Sequence, residues 1–168
     1  MTKAVFAGSF DPFTNGHLIV LKKALKVFDK VYVVIASNPA KNRRYNPYEV
    51  CGAIRATLKR EELADRAEVV VYNGILVELM QDKGVIHTVR GLRNTTDFEY
   101  EENLAKINKG LYKECETVYF RADFDCSSSK VKELFDAGKS VSEFVPCETL
   151  DIMKGEFMYD KYESYAAY

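Results

Sequence analysis

This chain predicts an α/β fold built on a mainly parallel sheet. β-branched apolar runs alternate with segments of helical period, and most runs are apolar throughout, as strands covered on both faces should be. At 168 residues and 47% hydrophobic content, with only four prolines, one substantial core can form. Lys3 to Gly8 reads as the first strand, and Leu18, Leu21, Leu25 and Phe28 follow it at the spacing of a core-facing helix. Val31 to Ser37 is the second strand, followed by a helix carrying Val50, Ile54 and Leu58. Glu68 to Asn73 and Val85 to Arg90 are the third and fourth strands, and His87 inside the latter reads as structural. Leu104, Ile107 and Leu111 predict another core-facing helix, with Thr96 and Glu99 as its capping box. Thr117 to Arg121 is the fifth strand, and Ser127 to Ser129 offer the N-cap of the next helix. Right-handed crossovers join successive strands.

Residues 1–168 read as one domain, with 147–168 a C-terminal helix or tyrosine-rich tail. The net charge of −1 gives no reason to expect a nucleic-acid partner, so any phosphate must be bound locally. Cys51, Cys115, Cys126 and Cys147 lie far apart without CxxC spacing, and His17 and His87 are the only histidines, so free thiols and no protein-held metal are expected. No apolar run approaches the ~20 residues of a membrane span, and the first residues enter a strand without a signal-peptide core. A cytoplasmic protein without a membrane partner is the expectation.

Chemistry concentrates in AGSFDPFTNGH, Ala7 to His17, which leaves the first strand, turns through Ser9, Asp11 and Pro12, and opens a helix at Gly16 and His17. Unpaired first-turn N–H groups and the helix dipole make such a site a receiver of anions, above all phosphate. The segment is neither a Walker A loop nor GxGxxG. Asp11 and Pro12 read as turn-makers, with Asp11 bonding local backbone. In open α/β sheets ligands collect at the carboxyl ends of strands. Ser9 and His17 follow the first strand, Lys41 the second, Gly74 and Leu76 the third, Arg90 and Arg93 the fourth, and the three serines the fifth.

GSFDPFTNGH resembles the (T/H)xGH motif of the nucleotidyltransferase superfamily, and its Thr14-Asn15-Gly16-His17 form resembles the phosphopantetheine adenylyltransferase branch. RGLR with DFEYE, within Arg90 to Leu111, is close to a hallmark of that branch, and CSSSKVKELF, Cys126 to Phe135, resembles its serine segment. The likeness runs to about Val145. It departs at Phe6-Ala7 and in the loop Arg121 to Cys126, which flanks the adenine and phosphates in relatives and looks shorter than usual here.

The resemblance implies a single Rossmann-like domain with strand order 3-2-1-4-5 and helices on both faces. It implies adenylyl transfer from ATP to 4'-phosphopantetheine, giving dephospho-coenzyme A and pyrophosphate. His17, Lys41, Arg90 and Ser9 are then the catalytic candidates. ATP would be held by Ser9, Phe10, His17, Arg90, Gly91, Arg93, Glu101, Ser127, Ser128 and Ser129, and phosphopantetheine by Ser9, Lys41, Ile75, Leu76, Arg90 and Asn108. Gly91 is expected to let the chain turn at the strand end, freeing Arg90 and Arg93 for phosphate oxygens. Mg2+ is expected on the polyphosphate, a homohexamer as the assembly, and coenzyme A as a feedback inhibitor. The alternatives are a nicotinate mononucleotide adenylyltransferase, a cytidylyltransferase, or a nucleotide-binding module without turnover. An ordinary surface ion network is the competing reading of Arg90 and Arg93 with Asp97, Glu99 or Glu101.

Overall fold

β1 (Lys3–Gly8) is the centre of a five-stranded sheet in the computed structural model, which describes residues 1–38, 40, 42–124 and 126–158. The other strands are β2 (Lys30–Ala36), β3 (Ala67–Tyr72), β4 (His87–Leu92) and β5 (Glu116–Arg121). Their order is β3-β2-β1-β4-β5 and every pairing is parallel, as the resemblance implies. The helices are α1 (Asn15–Ala24), α2 (Pro47–Arg60), α3 (Leu76–Lys83), α4 (Thr95–Leu111), α5 (Ser128–Asp136) and α6 (Cys147–Lys154).

Side chains alternate across the sheet, so each face builds its own core. Ala4 and Phe6 join Leu21, Ile54, Val131 and Ile152 on the face covered by α1, α2, α5 and α6. Val5 and Ala7 join Tyr32, Val34, Val77 and Met80 on the face of α3. The register aligns the strand ends: Gly8 pairs with Ile35, and Ala36 with Tyr72. Phe6 pairs with Val89, which brings Arg90 beside Ala7 at the point where strand order reverses.

Local chemistry explains where the elements begin and end. Asn46 caps α2, accepting from the Tyr48 N–H at 2.9 Å, and Pro47 occupies the first helical position where its missing N–H costs nothing. Gly84, at φ 63°, ends α3 in the left-handed region, and the Val85 N–H bonds back to the Met80 carbonyl at 2.8 Å. β4 therefore starts at His87 and runs on to Leu92, later than its apolar run suggests. Glu148 fastens α6 to α2: its buried carboxylate accepts from Thr57 Oγ1 at 2.9 Å and Arg60 Nε at 2.8 Å.

Three expectations need correction. Asn94, and not Thr96, caps α4, its side chain accepting from the Asp97 N–H at 2.9 Å. Gly91 makes no turn, because it lies inside β4 opposite Phe120. A Cβ there would stand 2.9 Å from Val20 Cγ2, so the glycine lets α1 close on the sheet. Finally, α4 does not pack an apolar stripe into the core. Ile107 and Leu111 are 58% and 59% exposed, and Glu101 is the only residue of α4 that is buried.

Candidate active site

The carboxyl ends of the strands open into a cavity of two lobes. One, of about 480 Å³, is lined by His17, Gly91, Arg93 and Phe124, and the other, of about 580 Å³, by Val34, Tyr72, Leu76 and Asn108. Ser9, Arg90, Glu101, Ser128 and Ser129 line both, so the lobes meet over the end of β1.

His17 is built into the first turn of α1 by a reciprocal cap. The Thr14 N–H donates to His17 Nδ1 at 2.9 Å, and the His17 N–H donates to Thr14 Oγ1 at 3.3 Å. This is a capping box with histidine where glutamate or glutamine is usual. Phe10 meets the imidazole edge to face at 5.0 Å, and Phe13 stacks on it at 5.5 Å. Burial, followed by the nearby charges of Arg90 and Arg93, pulls its pKa from 6.5 down to about 3. The ring is neutral at pH 7, and because Nδ1 accepts, the proton sits on Nε2. His17 can therefore donate a hydrogen bond from a fixed position in its lobe.

Phe10, 1% exposed, holds a φ of 46°, a left-handed conformation unusual for a bulky residue. Ring contacts with Phe6 at 5.3 Å and Phe13 at 5.4 Å anchor it there. Asp11 departs from the local turn role, because its buried carboxylate reaches across to the β2–α2 loop. It accepts from the backbone N–H groups of Tyr45 at 2.9 Å and Arg44 at 3.0 Å, with Lys132 Nζ at 3.5 Å.

Arg90 is oriented from two sides. Glu101, 8% exposed, takes Nε at 2.5 Å and Nη2 at 2.7 Å, while Nη1 donates to the Ala7 carbonyl. Three of the five guanidinium N–H groups are thereby used, leaving two for a ligand shared by the lobes. Arg93 forms the analogous pair with Asp97, at 2.9 and 3.1 Å. The ion network considered from the sequence is real, and it presents both arginines to the cavity.

The three serines have different duties. Ser127 Oγ accepts from the Lys130 N–H at 3.1 Å, and its own hydroxyl proton has no acceptor among the described residues. Ser128 gives its proton to the Pro12 carbonyl at 2.7 Å. The N–H groups of Ser128 and Ser129, in the first turn of α5, add donors that no helical carbonyl reaches. On the other side of the cavity, Arg43 Nη1 donates to the Ser9 carbonyl at 2.7 Å and the Ala36 carbonyl at 3.2 Å, and its buried Nη2 has no hydrogen-bond partner among the described residues.

Every candidate for ATP contact lines the His17 lobe: Ser9, Phe10, His17, Arg90, Gly91, Arg93, Glu101 and Ser127 to Ser129. Leu76 and Asn108 line the other lobe with Ser9 and Arg90. Ile75 stands apart from them, preceding the first turn of α3, 54% exposed and lining neither lobe. Lys41 lies outside the described residues. Tyr72, Tyr100 and Lys132 line the cavity although sequence reasoning passed over them. Thr14 was readable in part, since its side chain sits three residues before the motif histidine, the spacing of a cap.

The cytidylyltransferase-like family model matches residues 5–134. A phosphopantetheine adenylyltransferase of Thermotoga neapolitana is 41% identical over 148 residues, covering 86% of this chain and 90% of that protein. Its counterpart from Limosilactobacillus reuteri (strain DSM 20016) is 37% identical over 161 residues, covering 94% and 91%. The one from Campylobacter fetus subsp. fetus is 38% identical over 157 residues, covering 90% and 96%. In fold, the chain is similar to the crystal structure of a candidate nicotinate-nucleotide adenylyltransferase from Vibrio parahaemolyticus, with a TM-score of 0.67, 17% identity and coverage of 95% and 96%. With a two-lobed site at the switch point and these relatives matched over nearly their full length, the chain belongs to the cytidylyltransferase-like family and, within it, to the phosphopantetheine adenylyltransferases.

Proposed function

We propose that this enzyme transfers the adenylyl group of ATP to 4'-phosphopantetheine, giving dephospho-coenzyme A and pyrophosphate. The meeting of the two lobes at Ser9 and Arg90 carries this reading, because two phosphorylated substrates must bring an acceptor oxygen and an α-phosphorus together. The acceptor phosphate is already ionised, so it needs no general base. Its oxygen bonds to the α-phosphorus as the bond to the β-phosphate oxygen breaks, and the electron pair leaves with pyrophosphate.

Catalysis is then positioning and charge stabilisation. His17 donates from Nε2 to an α-phosphate oxygen, and its neutrality ensures that the donor is present without a proton being lost or gained. Ser9, Lys41 and Arg90 hold the reacting phosphates. Arg93, Ser127, Ser128 and Ser129 hold the β and γ groups, Phe10 and Gly91 meet the nucleotide through backbone, and Glu101 orients Arg90. Leu76 and Asn108 receive the pantetheine arm. ATP enters as its Mg2+ complex, with the metal on the phosphates. Support comes from the carboxylates of the cavity, since Asp11, Asp97 and Glu101 are each already engaged by N–H groups or cations.

A homohexamer in the cytoplasm, inhibited by coenzyme A, completes the proposal. The exposed apolar residues of α4 support self-association, and among the described residues no helix is long and apolar enough to cross a membrane. The deciding experiment is pyrophosphate release from MgATP with phosphopantetheine, nicotinate mononucleotide and glycerol 3-phosphate as parallel acceptors, the last repeated with CTP. Release with phosphopantetheine alone is expected. Release only with another acceptor, or with none, overturns the reading.

A further inference from the structure

Tyr72 ends β3 and lines the Asn108 lobe. Its ring packs against the α3-side core beside Leu76, a task that phenylalanine would perform equally well. The hydroxyl is therefore what needs a reason. No hydrogen bond within the described residues engages it, and it is absent from the sealed, unpaired polar atoms of the interior, so it stays accessible in a residue that lines the lobe.

Gly74 gives a second, independent sign. Its φ lies outside the left-handed range, so the backbone does not demand glycine there. A Cβ at this position would instead stand 2.5 Å from Tyr72 Oη and 2.7 Å from Cζ. The missing side chain makes room for the phenol.

Register sets the distance to the reacting phosphates. Gly8 pairs with Ile35 and Ala36 pairs with Tyr72, so Tyr72 lies level with Ser9 two strands away, about 9–10 Å across the sheet. A small acceptor phosphate seated at Ser9 does not reach it. An acceptor with an extended arm running over β2 does, and an arm containing amides offers both a donor and an acceptor to a phenol. Asn108, from α4, presents a carboxamide to the same lobe.

We propose that Tyr72 is an acceptor-recognition residue: its hydroxyl hydrogen-bonds an amide of the acceptor's arm in the Asn108 lobe, and Gly74 keeps the space the phenol requires. The proposal rests on the adenylyl-transfer reading and assigns Tyr72 no part in the chemical step.

The test is steady-state kinetics of Tyr72→Phe and Gly74→Ala with MgATP and phosphopantetheine. Tyr72→Phe keeps the packing ring and the thermal midpoint, and raises the KM for phosphopantetheine about 3- to 10-fold, the worth of one hydrogen bond. Its KM for ATP and its kcat stay at wild-type values. Gly74→Ala displaces the phenol and moves the acceptor KM in the same direction, again with the ATP KM unchanged. An unchanged acceptor KM in Tyr72→Phe, or an equal rise in the ATP KM, overturns the role of Tyr72 while wild-type turnover still upholds the function. Absence of turnover by the wild type with phosphopantetheine overturns both.

Discussion

The hydrogen atom that His17 would offer in the proposed reaction is placed by its neighbour Thr14. With Nδ1 occupied by the Thr14 N–H, the ring can be only a donor at Nε2, and the surrounding phenylalanines keep it uncharged. An interaction made mainly in the transition state affects the chemical step most, so His17→Ala is expected to lower kcat by about 10²–10³-fold while weakening ATP binding far less. Single-turnover rates set beside ATP titrations check this, and equal losses would remove the role. The pKa of about 3 also predicts that kcat has no acid limb near 6.5 arising from this residue. For stability the sign is fixed by the unfolded chain, which takes up the proton first. The contribution of His17 is present in full above about 6.5 and is lost as pH falls from there toward 3, as denaturant unfolding at pH 7 and pH 5 would show. The motif made His17 legible because so polar a turn after an apolar strand has few structural uses. Its tautomer was not legible, since that depends on the orientation of one backbone N–H. Arg90 was legible in the same way, and the sequence offered Asp97, Glu99 and Glu101 as its partners; the choice of Glu101 among them is made only when β4 and α4 are set side by side.

Where elements meet, Asp11 is the main fastening of the site. It ties the turn after β1 to the loop before α2 through two N–H groups and lies close to Lys132 of α5. Asp11→Ala leaves those N–H groups without their acceptor and is expected to destabilise the fold by about 1–3 kcal/mol, read from chemical denaturation. A turn-forming aspartate and one that binds a loop 34 residues away look identical in sequence, which is why this role was missed. Helix α4 was misjudged for a related reason. Its i, i+3, i+7 spacing describes one face of a helix, and nothing in the spacing says what that face meets. Leu104 and Asn108 border a cavity, while Ile107 and Leu111 face outward. The serine cap of α5 was read correctly because the hydroxyls and the helix start are adjacent in the chain.

Across the whole molecule, alternating apolar runs and helical segments were enough to find five strands within two residues of their bounds. Strand order depends on contacts remote in sequence and was available only through the motifs. The exposed Ile107 and Leu111 carry the prediction at this scale: light scattering should report about six times the mass of the 19.2 kDa chain, and Ile107→Glu combined with Leu111→Glu should lower it. A monomeric wild type would contradict the assembly. The shared wall of Ser9 and Arg90 has a further outcome. A molecule that spans both lobes is tethered at two places, so when one end lets go, the other holds it at high effective concentration beside the vacated lobe. On the proposed assignment of the lobes, the joined product spans them as neither substrate does, so the architecture that would bring the reactants together would also prolong the residence of what they become.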